Sequence, residues 1–432
     1  MADPYFQFTK LLERSQWYEP AKLKALQDKG LTRMLVHAWQ QAPAYRERLA
    51  PLFEKSDVPD LSRWQEVPIL TRKEAQANSS QYYARQVPEQ AGETFEQQTS
   101  GSTGMPFKHR NSGLQAVANQ ATVGRNFDWY NINPNQSCAI LAASKTKTYE
   151  FPNGGCEKEW QRGYPNGVGH WLNHKTTNSA QKLDWLSRTP TTYFASTPNT
   201  ALGVVLECNK TNTRPPRYDA LLLGSEVLTE RTANLLRSTL SDKIINLYGS
   251  EECGRMAGSC SEFNNLHVYE EICLLELLDE QDQPVGFGQT GRVVVTSFYN
   301  FAMPLIRYAI GDYATYTAER CGCGRSSRAF SKVDGRERNL FKFVDGSTFW
   351  PSLRIEEFQA IVPFQQWQLT QDKPDHIVAS LVVSDHHIKF DRILFQNLMR
   401  KALHPDLNVS FEFVSEIPRT KSGKYEEFRS LI

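Results

Sequence analysis

Three groups of residues in this sequence carry chemistry by type and spacing. Thr99-Ser-Gly-Ser-Thr-Gly-Met-Pro106, followed by Lys108-His-Arg110, interleaves hydroxyls with two glycines. Such a loop can turn backbone N–H groups and hydroxyls onto phosphate oxygens with little side-chain hindrance. It is not a Walker A loop, because no lysine stands in the place that G-x-x-x-x-G-K-[ST] requires. A Ser/Gly linker has the same composition, so the motif gains meaning only from its companions elsewhere along the chain. The second group is Cys260-x-x-x-x-x-x-His267 with Cys321-x-Cys323, three thiols and an imidazole suited to a closed tetrahedral zinc site. The spacing is not that of a standard finger, and the residues alone leave a zinc site and buried thiols beside a surface histidine equally open. The third group is His170 and His174 flanking Trp171, with Tyr149, Trp160 and Tyr164 nearby. It reads either as the lining of an acyl pocket or as a loop packed by its own aromatics.

These groups need elements to position them. The first hundred residues carry apolar positions at helical spacing over 23–26 and 31–39, punctuated by Pro43, Pro51 and Pro59. From there to about residue 335, short apolar runs alternate with helical stretches, which predicts an α/β (mixed α and β) fold. The clearest strands are 139–143, 221–223, 244–247 and 293–296. Each runs into Gly, Ser or Asn, delivering a polar turn at a strand end, where open α/β sheets bind ligands. The last hundred residues form a separate small α+β unit, with strands at 377–383 and 409–414 and a helix at 352–360. Phe390, Ile393, Leu394, Leu398 and Leu403 are expected on one helix face. The two domains are therefore 1–335 and 336–432, joined through the charged segment Asp334-Gly-Arg-Glu-Arg-Asn339.

The 432 residues are too long for one ordinary core, and a hydrophobic fraction of 40% is enough to fill two. Lys+Arg 49 against Asp+Glu 48 leaves a net charge of +1, which gives no reason to expect nucleic acid or an anionic membrane as partner. The N-terminus lacks a basic region followed by an apolar one, and no apolar run approaches the roughly 20 residues that span a bilayer, so a cytoplasmic location is expected. The remaining cysteines, 138, 156, 208, 253 and 273, are most simply core thiols.

The Thr99–Pro106 segment resembles the phosphate-binding loop of the adenylate-forming superfamily, which includes acyl-CoA synthetases, nonribosomal adenylation domains and luciferase. Further segments occur in that superfamily's order. Leu223-Gly-Ser-Glu226 resembles its adenine-pocket turn and Tyr248-Gly-Ser-Glu-Glu252 its tyrosine-glycine-x-threonine-glutamate segment. Arg307-Tyr-Ala-Ile-Gly-Asp312 resembles its ribose-binding aspartate motif, Gly335-Arg336 its hinge region, and Thr420-Lys-Ser-Gly-Lys424 its catalytic-lysine loop. Within the superfamily the chain is similar to phenylacetate-CoA ligase and CapK-like proteins, through Ala42-Pro-Ala-Tyr-Arg46, Val67-Pro-Ile-Leu-Thr-Arg-Lys-Glu74, Phe301-Ala-Met-Pro-Leu-Ile-Arg-Tyr308 and Cys321-Gly-Cys-Gly-Arg325.

The resemblance implies an ATP-dependent ligase that activates a small carboxylic acid, an aryl acid by family likeness, to an acyl-AMP and passes the acyl group to a thiol, coenzyme A foremost. Thr99, Ser100, Gly101, Ser102, Thr103 and Gly104 would hold the phosphates. Gly224, Ser225 and Glu226 would form the adenine turn. Tyr248 would stack on adenine within the nucleotide segment that includes Gly249, Ser250 and Glu251. Asp312 and Arg336 would meet the ribose. Glu252 would bind Mg2+, and Lys424 would offset charge on the α-phosphate. The resemblance also implies zinc at Cys260, His267, Cys321 and Cys323, and is compatible with a homodimer. Two departures stand out. Glu251 occupies the place of the usual threonine, and Arg338 the hinge position usually held by aspartate or lysine. Two rival readings remain: an adenylating enzyme that loads a carrier protein or an amine, and a catalytically degenerate nucleotide-binding homologue.

Overall fold

The computed structural model describes residues 3–98, 107–144, 147–336, 340–349, 353, 355–383, 387–418 and 426–432. It divides into two compact units, the first comprising Met1–Ile310 and Ala314–Val333, the second Gly311–Tyr313 and Asp334–Ile432.

The chain opens helically, as its periodicity predicts. Asp3 accepts a hydrogen bond from the Tyr5 amide and Pro4 takes the first helical position of Pro4–Ser15, a favourable start because proline's missing N–H would have no partner there. The helix Pro20–Gln41 buries Leu23, Gln27, Leu31, Leu35 and Ala38, a stripe at intervals of three and four. A two-residue strand, Leu70–Thr71, then pairs in parallel with Tyr308–Ala309. The buried Arg307 guanidinium reinforces this join by donating to the carbonyls of Gln65 and Val67.

Thirteen strands form the principal sheet among the described residues. From one edge they run Cys273–Leu278, Thr290–Ser297, Tyr308–Tyr316, Ala329–Arg336, Leu266–Val268, Gly254–Ser259, Ile244–Ser250, Ala220–Gly224, Tyr193–Ser196, Cys138–Leu141, Val168–Leu172 and Gly155–Lys158, with Leu70–Thr71 attached to Tyr308–Tyr316. The stretch from Val168–Leu172 to Ile244–Ser250 is parallel, whereas Gly254–Ser259 runs antiparallel to Ile244–Ser250. The parallel part is covered on both faces, which is why Ala220–Gly224 reads as a continuous apolar run and not an alternating one. Leu221 and Leu223 face Leu183, Val204 and Leu236 of the helices Ser179–Arg188, Pro198–Thr211 and Glu230–Thr239. Ala220 and Leu222 point the other way, into a cluster with Ile245, Leu247 and Phe127 of the helix Gly113–Trp129.

In the second unit a four-stranded sheet runs Asn408–Phe413, His376–Val383, Phe364–Lys373, Phe428–Ser430. Trp367, Leu369, Ile377, Ala379 and Leu381 of this sheet pack on Phe358 of the short helix Ile355–Gln359 and on Phe395 and Met399 of Arg392–Ala402. The buried face of Arg392–Ala402 differs from the one expected from periodicity. Ile393 is 74% exposed and Leu394 52% exposed, and the buried pair is Phe395 and Met399. An i,i+4 pair with a ring and a long thioether fills the space above the sheet better than the two adjacent branched residues, which diverge around the helix. No helix of the described residues is long and apolar enough to cross a membrane.

Candidate active site

The parallel strands end at one edge, and the sheet's change from parallel to antiparallel at Ile244–Ser250 leaves the ends of Ala220–Gly224 and Ile244–Ser250 side by side. Gly224 lies opposite Leu247. A Cβ at Gly224 would come within 3.1 Å of the Leu247 carbonyl oxygen, and one at Gly249 within 2.4 Å of the Gly254 carbonyl, so both glycines permit a close approach of backbones. Ser225 follows at φ 70°, turning the chain sharply. The Glu226 carboxylate accepts from the backbone and side-chain nitrogens of Asn199, both at 3.1 Å, and so fixes the turn to the first turn of Pro198–Thr211. Tyr248 lies on the neighbouring strand opposite Ala257, its ring edge-on to Phe330.

Glu252 is 2% exposed. Its Oε1 accepts from Arg72 at 3.0 Å and from the Tyr308 hydroxyl at 3.2 Å. Burial, and then the Glu252 charge, hold the Tyr308 phenol well above its ordinary pKa, so it is the donor in this contact at any working pH. The Phe107 ring lies 6.1 Å from that of Tyr308, and the Arg72 guanidinium 5.8 Å from Phe107. Asn111 donates to the Glu251 carbonyl at 3.3 Å, and Gln115 to that of Glu252 at 3.5 Å. Glu251 itself presents its side chain to solvent.

Thr99, Ser100, Gly101, Ser102, Thr103 and Gly104 lie outside the described residues, as do Arg338 and Lys424, and the side chain of Arg336 is not described. The strands flanking the first segment, Thr94–Gln98 and Lys108–Ser112, pair antiparallel with Gln98 opposite Lys108. Through Phe107 and Asn111 that hairpin abuts the residues around Glu252. Asp312 lies half-buried on Tyr308–Tyr316, directly after Gly311 at φ 80°.

The thiol group also comes together. Leu266–Val268 pairs with Gly254–Ser259 on one side and with Ala329–Arg336 on the other, which brings Cys260, His267 and the turn holding Cys321 and Cys323 to one place. Their four ligand atoms lie within 4.8 Å of one another, with Cys321 Sγ 3.9 Å from Cys260 Sγ and Cys323 Sγ 3.2 Å from His267 Nε2. A tetrahedral ion with Zn–S bonds of about 2.3 Å sets its ligand atoms about 3.8 Å apart, so the spacing suits one ion. Ser327 Oγ lies 3.2 Å from His267 Nδ1, the type of contact that fixes a ligand tautomer. Burial pushes the Cys323 thiol up, but hydrogen bonds from His267 and Arg325 outweigh it and bring the pKa down to about 6. Burial pushes Cys260 up to about 11. Arg325 anchors this turn, its guanidinium 4.2 Å from the Trp129 ring and 5.2 Å from that of Trp17.

Residues 354–429 match the CapK C-terminal domain family. Over 176 residues the chain is 30% identical to a phenylacetate-coenzyme A ligase of Thermus thermophilus, covering 39% of each protein. Over 150 residues it is 26% identical to Protein CapK of Staphylococcus aureus, covering 32% of this chain and 31% of that protein. The chain thus spans less than half the length of these two relatives. Its whole structure is similar to that of 2-hydroxyisobutyryl-CoA ligase in the postadenylation state with 2-HIB-AMP, at a TM-score of 0.72 and 16% identity over 96% of this chain and 89% of that one. The chain shares the fold of that CoA ligase. The mixed α/β core with a C-terminal domain, expected from the sequence, is present.

Arg72 and Tyr308 are the site residues that the sequence did not mark out. Both lie inside segments that carry the resemblance, Val67–Glu74 and Phe301–Tyr308, and only the fold shows that these segments converge on Glu252. Tyr149, Trp160 and Trp171 of the aromatic group pack on one another or on the core. Trp160 and Trp171 pack against the cluster of Phe127, Ile140, Leu222 and Leu247, and Tyr149 stacks on Trp171 at 5.8 Å.

Proposed function

We propose that this chain is an ATP-dependent acid–thiol ligase. One carboxylate oxygen of the substrate attacks the α-phosphorus, forming a P–O bond as pyrophosphate leaves with the electrons of the bond it breaks. A thiol then attacks the acyl carbon, AMP departs as a phosphate anion, and the thiol proton passes to solvent. Coenzyme A is the proposed acceptor, an aryl acid the proposed substrate, and the cytoplasm the proposed setting.

The observation that carries this reading is the placement of Glu252. Its carboxylate is held at the end of Ile244–Ser250, on the fold of the adenylate-forming ligases, with the Gly224–Glu226 turn on the adjacent strand. Carboxylate oxygen is the ligand Mg2+ prefers, and the ion would supply positive charge to the departing pyrophosphate. The protein's own part is placement and electrostatics. Tyr248 would stack on the adenine, Asp312 and Arg336 would receive the ribose, and the segment 99–104 would hold the β- and γ-phosphates. Residues 1–335 would form the adenylation domain, and residues 336–432 a lid that carries Lys424 to the α-phosphate and then turns away for thioester formation. Zinc held by Cys260, His267, Cys321 and Cys323 would be structural, since four protein ligands leave no open position.

The test is pyrophosphate release from MgATP across a panel of aryl, hydroxyaryl and short aliphatic acids, followed by addition of coenzyme A. Acid-dependent release and then acyl-CoA formation are expected. Absence of release with every acid would leave only the nucleotide-binding reading, and release without coenzyme A consumption would point to a carrier-protein or amine acceptor.

A further inference from the structure

The enclosed arginines of this protein come with carboxylates. Arg125 meets Glu271 at 2.7 Å, Arg328 meets Glu270 at 2.6 Å, Arg72 meets Glu252 at 3.0 Å and Arg307 meets Glu276 at 3.4 Å. Such pairing is what burial of a guanidinium demands. Arg255 breaks the pattern. Its backbone N–H donates to Asn119 Oδ1 at 2.9 Å, but its guanidinium meets no acceptor among the described residues.

The position of that guanidinium follows from strand register. Arg255 lies opposite Gly249, Gly258 opposite Leu247, and Leu247 opposite Gly224, so these residues share one face of the sheet. It is the face beneath the helix Gly113–Trp129, because a Cβ on Gly258 would strike Asn126 of that helix. On this face Gly249 and Gly224, lacking side chains, leave a trough. Arg255 extends through it across Ile244–Ser250, its Nη1 ending 3.3 Å from where a Cβ of Gly224 would stand. A side chain that crosses a neighbouring strand, about 4.8 Å away, to reach the next is nearly fully extended. The residue is half-buried, so the trough is open at this point. Partial burial pushes the guanidinium below its ordinary pKa, against an opposing contribution from Tyr269.

We propose that Arg255 determines substrate specificity by receiving a second anionic group of the acid, a carboxylate distal to the one that is activated. The planar fork of arginine suits a carboxylate bidentately. The substrate is then a dicarboxylic acid. This inference rests on the ligase reading for the fate of the first carboxylate, but the anion site itself does not require turnover.

The experiment therefore has two arms on the full chain. In the first, calorimetric titration compares terephthalate with benzoate and succinate with butyrate, on the native protein and on Arg255→Met and Arg255→Lys. Native protein should bind one dicarboxylate at least roughly tenfold more tightly than its monocarboxylate partner, Arg255→Met should erase the difference, and Arg255→Lys should retain part of it. In the second, the same acids are compared by kcat/KM for pyrophosphate release, and the ratio within a pair should fall at least roughly tenfold in Arg255→Met. Equal loss for both members of a pair would place Arg255 at the shared carboxylate or phosphate and overturn the proposal, as would monocarboxylate preference in the native protein. Arg255-dependent dicarboxylate binding without pyrophosphate release would uphold the anion site and defeat the ligase reading instead.

Discussion

Arg72 and Glu252 form an ion pair across 180 residues of sequence, with the carboxylate side chain 3% exposed and the guanidinium side chain 22% exposed. Tyr308 donates to the same oxygen. The segment 67–74 is thereby attached to the place where phosphate chemistry is proposed, and each member of the trio becomes testable.

Replacing Arg72 with methionine leaves a buried carboxylate without its cation. The cost of breaking such a pair is about 3 kcal/mol, the lower end of the usual range because the guanidinium is partly wet. Urea denaturation should show this as a lower midpoint, and the double variant Arg72→Met with Glu252→Gln should recover most of the loss. A single-variant cost under about 0.5 kcal/mol would mean that solvent already screens the pair.

Gly249→Ala places a Cβ 2.4 Å from the Gly254 carbonyl oxygen, a backbone atom that no rotamer change can move aside. The strands must part, at a cost of about 1–3 kcal/mol, and Tyr248 moves with them. A raised KM for ATP together with a lower melting temperature is the expected pair of readouts. Unchanged KM would separate Tyr248 from nucleotide binding.

Protein purified without added zinc should contain close to one equivalent of the metal, and Cys321→Ser should lower that content and the thermal stability together. A metal content near zero in the native protein would remove the zinc site and leave a cluster of buried thiols.

Lys424→Ala should reduce acid-dependent exchange of pyrophosphate into ATP by about a hundredfold or more, the usual effect of losing a charged donor at the transition state. The circular dichroism spectrum should not change. Undiminished exchange would contradict the ligase assignment directly.

The parts of this molecule that were legible in the sequence are those where one local pattern has one outcome. The leucines at 221–223 lie in a strand because an apolar run of that length fits a sheet covered on both faces. Cys260, His267, Cys321 and Cys323 were legible as a ligand set because few residue types offer soft donors, although sequence alone did not show that they meet. What stayed hidden depends on register and direction. Ile393 and Leu394 satisfy helical periodicity as well as Phe395 and Met399 do, and only the underlying sheet selects between them. Arg255 reads as an ordinary strand residue until its pairing with Gly249, and that of Leu247 with Gly224, shows the trough it occupies.

The parallel pairing of Leu70–Thr71 with Tyr308–Ala309, and the Arg307 guanidinium on the Val67 carbonyl, bear on how the protein is made. The partners of that last bond are 240 residues apart. At roughly 5–20 residues per second a ribosome needs about 10–50 s to deliver the second partner after the first. During that interval Leu70 and Tyr45, both buried in the finished protein, have no sheet to close against. The early helices are therefore natural clients for a chaperone that shields apolar surface on the nascent chain.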